Sequence, residues 1–551
     1  MKIKKMLAML TASTLVLGIS VPTYANNVVH TDGVYVKGLE SDDLTVTAYQ
    51  IIKYNEAGYY EPVIPGTIST ADEPTQDGRD ILSPTGADLQ RLASSDYINQ
   101  LTTRVTLNAD ESTDEEGDYF TDFSNLSEDV VIPGGWMIII SGSDQYIYNP
   151  AIVSVNTTPR GVQYGELNYP NERWSDDIYP KRSEPGITKT AEKENKEDTD
   201  IVGVQYGDIL KFTVTADIPD YSSDITNITK YIISDELTGL TLVKDGDHEV
   251  TVSVPNVQDV SEISTVIENA ILDGEDSFVA NLSDKDTFLI NNGGNKIIIT
   301  YYAKVSSSAQ INVDELNNTA TLNYSTRGGE TSKDATTKHY TFGIDTGFEG
   351  TVTTENKTGE FIKINSDGSV GYEENTGNVT VDGEALSGAE FELRIGSSDS
   401  SAEKFTINTP DGPKSTFTTD ENGRLEINGL DPDVIYYLVE IKAPSGYTVN
   451  STPVKVQIVA DIENGELDGY DVIIGENESQ AITHYKYKEG TTTIINTEDT
   501  PSNPYGFKNT TLSTLPSTGG IGTTIFTIGG CVIMIAAAGL YFASRRRQEN
   551  K

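Results

Sequence analysis

The sequence predicts an all-β protein made of tandem β-sandwich domains, with an export signal before them and a membrane helix after them. From residue 26 to about residue 504, segments rich in β-branched and aromatic residues show near-alternating polarity, as in 44–54, 209–218 and 296–305. Turns rich in Gly and Asp separate these segments, which is typical of β-sandwiches. A chain of 551 residues is also too long for a single hydrophobic core.

Two breaks in the strand pattern predict three domains. The first break runs from Tyr179-Pro180 to Pro185-Gly186, and the second is the Gly-rich stretch 343–350. They predict a first domain at 26–182, a second at 183–344 and a third at 345–505, followed by a C-terminal segment at 506–551. A polar stalk is expected from about 501 to 514, across the boundary between the third domain and this segment. One short helix is expected at 87–101, with Ser83 or Thr85 as its N-cap.

The composition excludes several classes of function. The chain has 39 basic and 84 acidic residues, a formal net charge of -45, which disfavours nucleic acid and anionic lipid as partners. Its one cysteine, Cys531, lies in an apolar run, so no disulfide and no cysteine nucleophile is expected in a soluble domain. The four histidines are scattered, and the acidic stretch 110–118 is typical of a solvated loop more than of a calcium site. We therefore expect no metal, no cofactor and no enzymatic constellation, which also disfavours a wall-anchored hydrolase.

Both ends of the chain carry targeting signals. Lys2, Lys4 and Lys5 precede an apolar stretch that ends near Ile19, and the small residue Ala25 follows, which predicts a secretory signal peptide at 1–25. At the other end, residues 521–543 are uncharged and long enough to cross a bilayer. Three arginines at 545–547 predict that this end stays inside the cell.

A short motif stands immediately before the apolar span: Leu515, Pro516, Ser517, Thr518 and Gly519. Leu-Pro-x-Thr-Gly followed by a hydrophobic helix and a basic tail resembles the sorting signal of sortase substrates. The proline kinks an extended peptide, and the glycine leaves the bond after the threonine sterically open. The resemblance implies that a sortase cuts after the threonine and passes its carbonyl to an amine, anchoring the protein to peptidoglycan on the cell surface.

A second resemblance lies in the third domain. Tyr436-Tyr-Leu-Val-Glu440 leads into Ala443-Pro-Ser-Gly-Tyr447, which is similar to the E-box of sortase-assembled pilins, with Ile441 in place of the usual threonine. The segments 386–391 and 419–423 resemble strand openings of the B-type repeat of collagen-binding adhesins. The resemblance covers most of 350–500 and implies immunoglobulin-like or collagen-adhesin-like sandwiches.

In that family a buried glutamate promotes an amide bond between a lysine on the first strand and an asparagine on the last. Here the resemblance points to Glu440 as the promoting acid and to Lys363 and Asn496 as the partners. Because strand side chains alternate, each of them shares a face with an apolar neighbour and is expected to point into the core. Burial makes the amine a nucleophile and the carboxyl a neutral acid, after which ammonia can leave.

The second domain is similar to the central domain of shaft pilins, in which an aspartate replaces the glutamate. The same alternation selects Lys189 and Asn318 as bond partners and Asp235 as the promoting acid. Asn317 and Glu236 are the adjacent alternatives. The first domain shows no complete set of lysine, acid and asparagine.

Between the first two domains, Trp174 to Lys181 resembles the pilin motif, in which a lysine after Tyr-Pro attacks the sortase acyl-enzyme. The Trp-to-Lys spacing is shorter than in the commonest form. The resemblance implies that Lys181 accepts the Thr518 carbonyl of the next subunit, and this head-to-tail contact does not close on itself.

These patterns predict the structural shaft subunit of a cell-surface pilus that supports host adhesion and colonisation. The expected partners are identical subunits, pilin-class and housekeeping sortases, minor pilins, peptidoglycan and a possible host surface ligand. The alternative is a monomeric wall-anchored adhesin that binds a host matrix protein. Lys181 discriminates between them, because only a pilin needs it.

Overall fold

The structure is a computed structural model. It describes residues 34–40, 43–55, 59–72, 82–109, 117–121, 134–143, 146–155, 178–194, 203–220, 228–312, 316–325, 330–346, 359–373, 377–396, 403–463, 466–488, 491–496, 501–511 and 521–549. The described residues are rich in strand, and the all-β prediction is confirmed.

The first region is built around a seven-stranded sheet with the strand order β1-β5-β4-β2-β6-β8, in which β3 pairs with β2, and β7 pairs with β9 beside it. Apolar side chains cover both faces of this sheet, and β6 is buried almost throughout its length. Its elements are β1 (Val34–Val36), β2 (Thr45–Tyr54), β3 (Tyr60–Pro62), α1 (Gly86–Ala93), α2 (Ser95–Ile98), β4 (Arg104–Ala109), β5 (Tyr119–Thr121), β6 (Gly134–Ser141), β7 (Ile147–Tyr148), β8 (Ala151–Val155) and β9 (Arg182–Ser183).

The predicted helix at 87–101 is present as two short helices. Thr85 is the N-cap of α1: its hydroxyl accepts from the Asp88 amide at 3.2 Å, and the Asp88 carboxylate accepts from the Thr85 amide at 2.9 Å. This reciprocal capping box fixes the start of the helix. Ser94, in extended conformation, separates α1 from α2, so this segment forms two helices where one was predicted.

The second region is a sandwich of two antiparallel sheets. The five-stranded sheet has the order β10-β11-β16-β13 with β14 on β16, and the four-stranded sheet has the order β15-β12-β17-β18. The elements are β10 (Ile187–Lys193), β11 (Ile209–Asp217), β12 (Tyr231–Leu237), β13 (Leu240–Val243), β14 (Thr251–Ser253), α3 (Ser261–Ala270), β15 (Ser277–Asn281), α4 (Asp286–Asn291), β16 (Lys296–Val305), β17 (Leu316–Ser325), β18 (Glu330–His339) and β19 (Phe342–Ile344). Alternating burial along β11 and β16 reflects the alternating polarity of their sequences.

The third region is built around an eight-stranded sheet with the order β24-β23-β29-β30-β31-β32-β33, and β27 pairs with β23. Three two-stranded sheets lie beside it: β20 with β34, β21 with β22, and β25 with β26. The elements are β20 (Phe361–Asn365), β21 (Ser369–Tyr372), β22 (Val379–Asp382), β23 (Glu390–Ile395), β24 (Glu403–Lys404), β25 (Ile407–Thr409), β26 (Gly412–Lys414), β27 (Thr416–Thr418), β28 (Ile427–Leu430), β29 (Tyr436–Lys442), β30 (Val454–Glu463), β31 (Glu466–Ile474), a 3₁₀ helix (Asn477–Ser479), β32 (Ala481–Lys488), β33 (Thr491–Ile495) and β34 (Tyr505–Asn509).

The segment predicted as a stalk contains the last strand of the third region. β34 runs parallel to β20, with Lys363 opposite Phe507 and Asn365 opposite Asn509. Phe507 and Asn509 are both buried, so this strand closes the core. The stalk prediction was wrong here because the side chains alternate along this segment: Phe507 and Asn509 point into the core, and Lys508 between them is exposed.

The second and third regions share a hydrophobic core. β19 pairs with β28 of the third region, although it precedes the predicted boundary at 344. A buried ion pair also crosses between the two regions: the Lys193 Nζ lies 2.6 Å from Asp431 Oδ2, and Asp208 Oδ2 lies 3.9 Å from the same amine. We therefore describe these two regions as one packed unit.

The chain ends in a long helix, α5 (Ile521–Glu549). Residues 525–547 are long enough to cross a membrane, and an 18-residue window within them has a mean hydropathy of 2.1. The helix contains the predicted span 521–543 and continues into the basic tail.

The ion pair between the second and third regions generates a stability prediction. Asp431→Ala would remove the carboxylate that contacts the buried Lys193 ammonium at 2.6 Å and leave only the more distant Asp208, so we expect the packing between the two regions to weaken by about 3 kcal/mol. Hydrogen exchange of the β19 amides measures this change. Glu330→Ala is the matched control, because it breaks the more exposed Lys230–Glu330 pair and should cost less than about 1 kcal/mol. Equal exchange in both variants would contradict the prediction.

Candidate functional site

A buried cluster in the third region joins its first strand, its last strand and the strand of the E-box. Lys363 on β20 and Glu440 on β29 are both fully buried, and Lys363 Nζ lies 3.6 Å from Glu440 Oε1. The amine also donates to the Phe507 carbonyl at 3.3 Å and lies 4.6 Å from the centre of that ring. Burial lowers the pKa of Lys363 to about 8, against the opposing effect of Glu440. The cluster therefore holds an amine that loses its proton readily.

The asparagine in this cluster is Asn509, not Asn496. The Asn509 amide nitrogen donates to both carboxylate oxygens of Glu440, at 2.9 and 3.1 Å, and its own carbonyl oxygen has no partner among the described residues. Asn496 is exposed, and its carbonyl oxygen accepts from the Ser502 amide at 2.7 Å. The prediction of Asn496 was wrong because β33, which precedes it, is an edge strand of the large sheet, whereas β34 is the strand that lies beside β20.

The strand of the E-box positions its glutamate by alternation and by one backbone contact. Leu438 and Glu440 are buried, while Ile441, the departure from the family pattern, is 42% exposed. The Glu440 carboxylate also accepts from the Asn450 amide at 2.6 Å. The carboxylate is thus fixed between the amine and the carboxamide.

A second buried cluster lies between the two sheets of the second region. Lys189 on β10 donates to both oxygens of Asp235 on β12, at 2.6 and 2.7 Å, and both side chains are fully buried. Asn318 on β17 is also fully buried and lies two positions from the residue opposite Asp235, so it shares the face of that carboxylate. The structure therefore brings together the three residues selected from the sequence.

Burial disfavours the charged forms of both the amine and the carboxyl in this cluster. Burial lowers the pKa of Lys189 to about 8, opposed by the charge of Asp235. Burial likewise raises the pKa of Asp235, opposed by Lys189 and by hydrogen bonds. An amine and a carboxyl whose pKa values approach each other exchange a proton easily, which is what nucleophilic attack by a lysine requires.

The adjacent alternatives lie elsewhere. Glu236 is exposed on the outer face of β12. Asn317 is half-buried and opposes Lys338 across the β17–β18 pair, so its side chain lies on the other face from Asn318. Because side chains alternate along a strand, Asp235 and Asn318 point into the core, whereas their neighbours Glu236 and Asn317 point to the opposite face.

One residue of this cluster was missed in the sequence. The Tyr301 hydroxyl on β16 donates to Asp235 Oδ2 at 2.6 Å and accepts from the Asn318 amide nitrogen at 3.2 Å. The tyrosine is fully buried and stacks on Phe212, with ring centres 5.3 Å apart. The sequence offered one signal for this residue: a tyrosine predicted to lie in the strand 296–305, whose hydroxyl needs a polar partner if it is buried.

Lys181 is exposed on a backbone that is held before, at and after this residue. Before it, the Ile178 amide donates to the Tyr35 carbonyl, and the Lys37 amide donates to the Ile178 carbonyl, both at 2.8 Å. The Lys181 carbonyl accepts from the Asn149 amide at 2.8 Å. After it, β9 pairs with β7, and the Arg182 guanidinium lies 4.1 Å from the centre of the Tyr146 ring. The amine is therefore accessible on an ordered segment.

Several predicted features lie outside the described residues. These are the signal peptide at 1–25, the motif residues Trp174 to Asp177, most of the acidic stretch 110–118, and the sorting motif from Leu515 to Gly519. In the described part of the chain, no three His, Cys, Asp or Glu side chains are grouped so that they could hold a metal ion.

Two family models match the chain. Residues 378–472 match the SpaA prealbumin-like fold domain. Residues 508–551 match the LPXTG cell wall anchor motif. The first match contains Glu440, and the second contains the predicted sorting motif and α5.

The chain is also similar to known surface proteins. It is 23% identical over 469 residues to the trypsin-resistant surface T6 protein of Streptococcus pyogenes, covering 74% of this chain and 78% of that protein. The solved T6 backbone pilin of serotype M6 S. pyogenes, described as a modular three-domain structure, aligns at a TM-score of 0.48 and 16% identity, covering 88% of this chain and 99% of that one. The major pilin SpaA of Corynebacterium diphtheriae aligns at a TM-score of 0.39 and 15% identity, covering 87% and 100%.

The fold and the two family matches define a Gram-positive surface protein that is anchored to the cell wall. Within that class the chain is similar to backbone pilins, in agreement with the resemblance described from its motifs.

The position of Asn509 generates a prediction that separates the two asparagines. In the full chain isolated from sortase-deficient cells, Asn509→Ala should abolish any crosslink to Lys363, because Asn509 is the carboxamide that contacts Glu440. Asn496→Ala is the control and should leave the crosslink intact. Tryptic peptide mapping by mass spectrometry measures the crosslinked fraction. Loss of the bond in the Asn496 variant alone would contradict the assignment.

Proposed function

We propose that this protein is the repeating shaft subunit of a pilus, joined covalently by a pilin-class sortase from the Thr518 carbonyl of one subunit to Lys181 of the next. A housekeeping sortase then attaches the finished polymer to peptidoglycan, and minor pilins are further partners. The exposed Lys181 amine on an ordered backbone is the observation that carries the proposal.

The chemistry requires an accessible amine and a cleavable C-terminal motif. The sortase breaks the bond between Thr518 and Gly519 and retains the threonine carbonyl as an acyl-enzyme. The Lys181 amine attacks that carbonyl, forms an amide and releases the enzyme. Because the two joined residues are different positions of the subunit, the contact is heterologous and would build an open filament.

Within each subunit we propose two further amide bonds, Lys189–Asn318 and Lys363–Asn509. In each, the lysine Nζ forms a bond to the asparagine Cγ, the bond from Cγ to Nδ2 breaks, and ammonia leaves. Asp235 and Glu440 take the lysine proton and return a proton to the leaving nitrogen, so they act as acid and base within one reaction. The short contacts between lysine and acid, and between acid and carboxamide in the third region, support this role.

Such bonds would stabilise the subunit as disulfides do. Each closes a loop of more than a hundred residues and so restricts the unfolded chain. In the chain-entropy model this loss of entropy raises the free energy of the unfolded chain by about 5 kcal/mol at room temperature. The chain contains one cysteine, so disulfides within a subunit cannot supply this stability. Resistance to proteases and to pulling force would follow, and it suits a fibre used in host adhesion and colonisation.

A monomeric wall-anchored adhesin is the alternative, and it would share the anchor, the sandwiches and the internal bonds. It would have no use for an accessible lysine after Tyr-Pro. The ordered segment around Lys181 therefore favours the shaft subunit.

Lys181→Ala tests the polymer. Because this variant lacks the accepting amine, we expect immunoblots of cell-wall extracts to show a monomer in place of the high-molecular-weight ladder. Lys53→Ala, which removes another exposed lysine of the first region, should leave the ladder unchanged. A ladder that persists in the Lys181 variant would overturn the polymerisation proposal.

The two acids test the internal bonds independently of the polymer. In sortase-deficient cells, the exported chain should weigh two ammonia molecules less than its sequence predicts. Asp235→Ala and Glu440→Ala should each restore one ammonia, because each acid serves only its own cluster, and intact mass spectrometry measures the difference. Glu426→Ala, an exposed acid of the third region, should keep the wild-type mass. A wild-type chain with the full sequence mass would remove both bonds.

A further inference from the structure

The two buried clusters differ in how the acid reaches the carboxamide. In the third region, Glu440 contacts the Asn509 amide nitrogen directly, at 2.9 and 3.1 Å. In the second region, the described contacts of the Asn318 amide nitrogen lead to the Tyr301 hydroxyl at 3.2 Å, and that hydroxyl in turn donates to Asp235 at 2.6 Å. The hydroxyl occupies the position between acid and amide.

The length of the acid explains this difference. Aspartate is one methylene shorter than glutamate. Asp235 holds Lys189 through both oxygens, and the Tyr301 hydroxyl connects it to Asn318. In the third-region cluster, the ring under the Lys363 amine is that of Phe507, which has no hydroxyl. The second-region cluster, with the shorter acid, has the tyrosine.

We propose that Tyr301 relays a proton between Asp235 and Asn318 when the Lys189–Asn318 bond forms, and that it is therefore a catalytic residue of the second-region reaction. The inference rests on the proposed function, because it presupposes that this bond forms. It assigns to a buried tyrosine a role that Glu440 fulfils alone in the third region.

The proton transfers balance around the cluster. Asp235 takes one proton from Lys189, and the neutral amine attacks the Asn318 Cγ. The attacking nitrogen then gives its excess proton to Asp235, whose own proton passes to the Tyr301 oxygen as the tyrosine proton passes to Asn318 Nδ2. The bond from Cγ to Nδ2 breaks, ammonia leaves, and Asp235 and Tyr301 end in the forms in which they began the attack. No other reactant is needed.

The surroundings of Tyr301 suit a relay. The ring is held by stacking on Phe212 and by an edge contact with Phe278, with centres 5.3 and 5.4 Å apart, so the hydroxyl cannot swing away. The Asn318 carbonyl oxygen has no partner among the described residues. The carboxamide is therefore held through its nitrogen, the atom that must leave.

Tyr301→Phe tests the relay, because it keeps the ring and removes only the hydroxyl. The full chain is pulse-labelled in sortase-deficient cells, and peptide mapping follows each crosslink over time. We expect the Lys189–Asn318 bond to form roughly 100-fold more slowly. The Lys363–Asn509 bond in the same molecule should form at the wild-type rate and reports on folding.

Two further variants separate a relay from a packing effect. Tyr206→Phe removes another buried hydroxyl of the second region, which donates to the Ala309 carbonyl at 2.7 Å, and should leave the rate unchanged. In Tyr301→Phe with Asp235→Glu, the longer acid occupies the space of the lost hydroxyl and reaches Asn318 directly, as Glu440 reaches Asn509. We expect this double variant to recover at least a tenth of the wild-type rate.

The outcomes are distinct. A Tyr301→Phe chain that forms the bond at the wild-type rate overturns the relay, and so does a double variant that stays as slow as Tyr301→Phe. If Tyr301→Phe slows both crosslinks equally, or if Tyr206→Phe slows the Lys189–Asn318 bond as much, the effect is on folding and the relay is also overturned. A wild-type chain without the Lys189–Asn318 bond instead removes the proposed function of this cluster.

Discussion

A lysine amine buried between two β-sheets is tolerated only beside a carboxylate, and this constraint organises both clusters. An isolated charge in such a core would cost many kcal/mol, whereas a paired one can share its proton with its partner. The side chains of Lys189 and Lys363 are fully buried, and each has an acid on a strand of another sheet. The strands that carry these residues are therefore fixed in register, since a shift by one residue would turn the charges to the wrong face.

Much of this arrangement could be predicted because strand side chains alternate with period two. Lys189, Asp235 and Asn318 each share parity with an apolar neighbour, and the structure buries all three together. The strands at 44–54, 209–218 and 296–305 also appear with nearly the predicted bounds, since their alternation is long and uninterrupted. Local pattern is informative where a strand is long and buried on one face.

The errors have a different physical origin, because they depend on which strands become neighbours. Asn496 and Asn509 both follow short apolar segments, and only pairing across the sheet decides which one lies beside Lys363. Tyr301 lies in a strand that was predicted correctly, but its hydroxyl gains a role only when β12 and β17 of the facing sheet bring Asp235 and Asn318 to it. Single-strand periodicity carries no information on such contacts between strands distant in sequence. The alternation of Phe507 and Asn509 was the local signal that could have identified the last strand.

The positions of the proposed bonds determine where a pulled filament could lengthen. Tension that enters at Lys181 and leaves at Thr518 would bypass residues 190–317 and 364–508, and it would never pass through the first region, which precedes Lys181. Most of the remaining backbone is the stretch 319–362, which contains β18 and β19. Fully drawn out, that stretch would span about 150 Å. The pairing of β18 with β17 and of β19 with β28 would have to break before this stretch could extend, so hydrogen bonds between strands would set the force at which a subunit begins to lengthen.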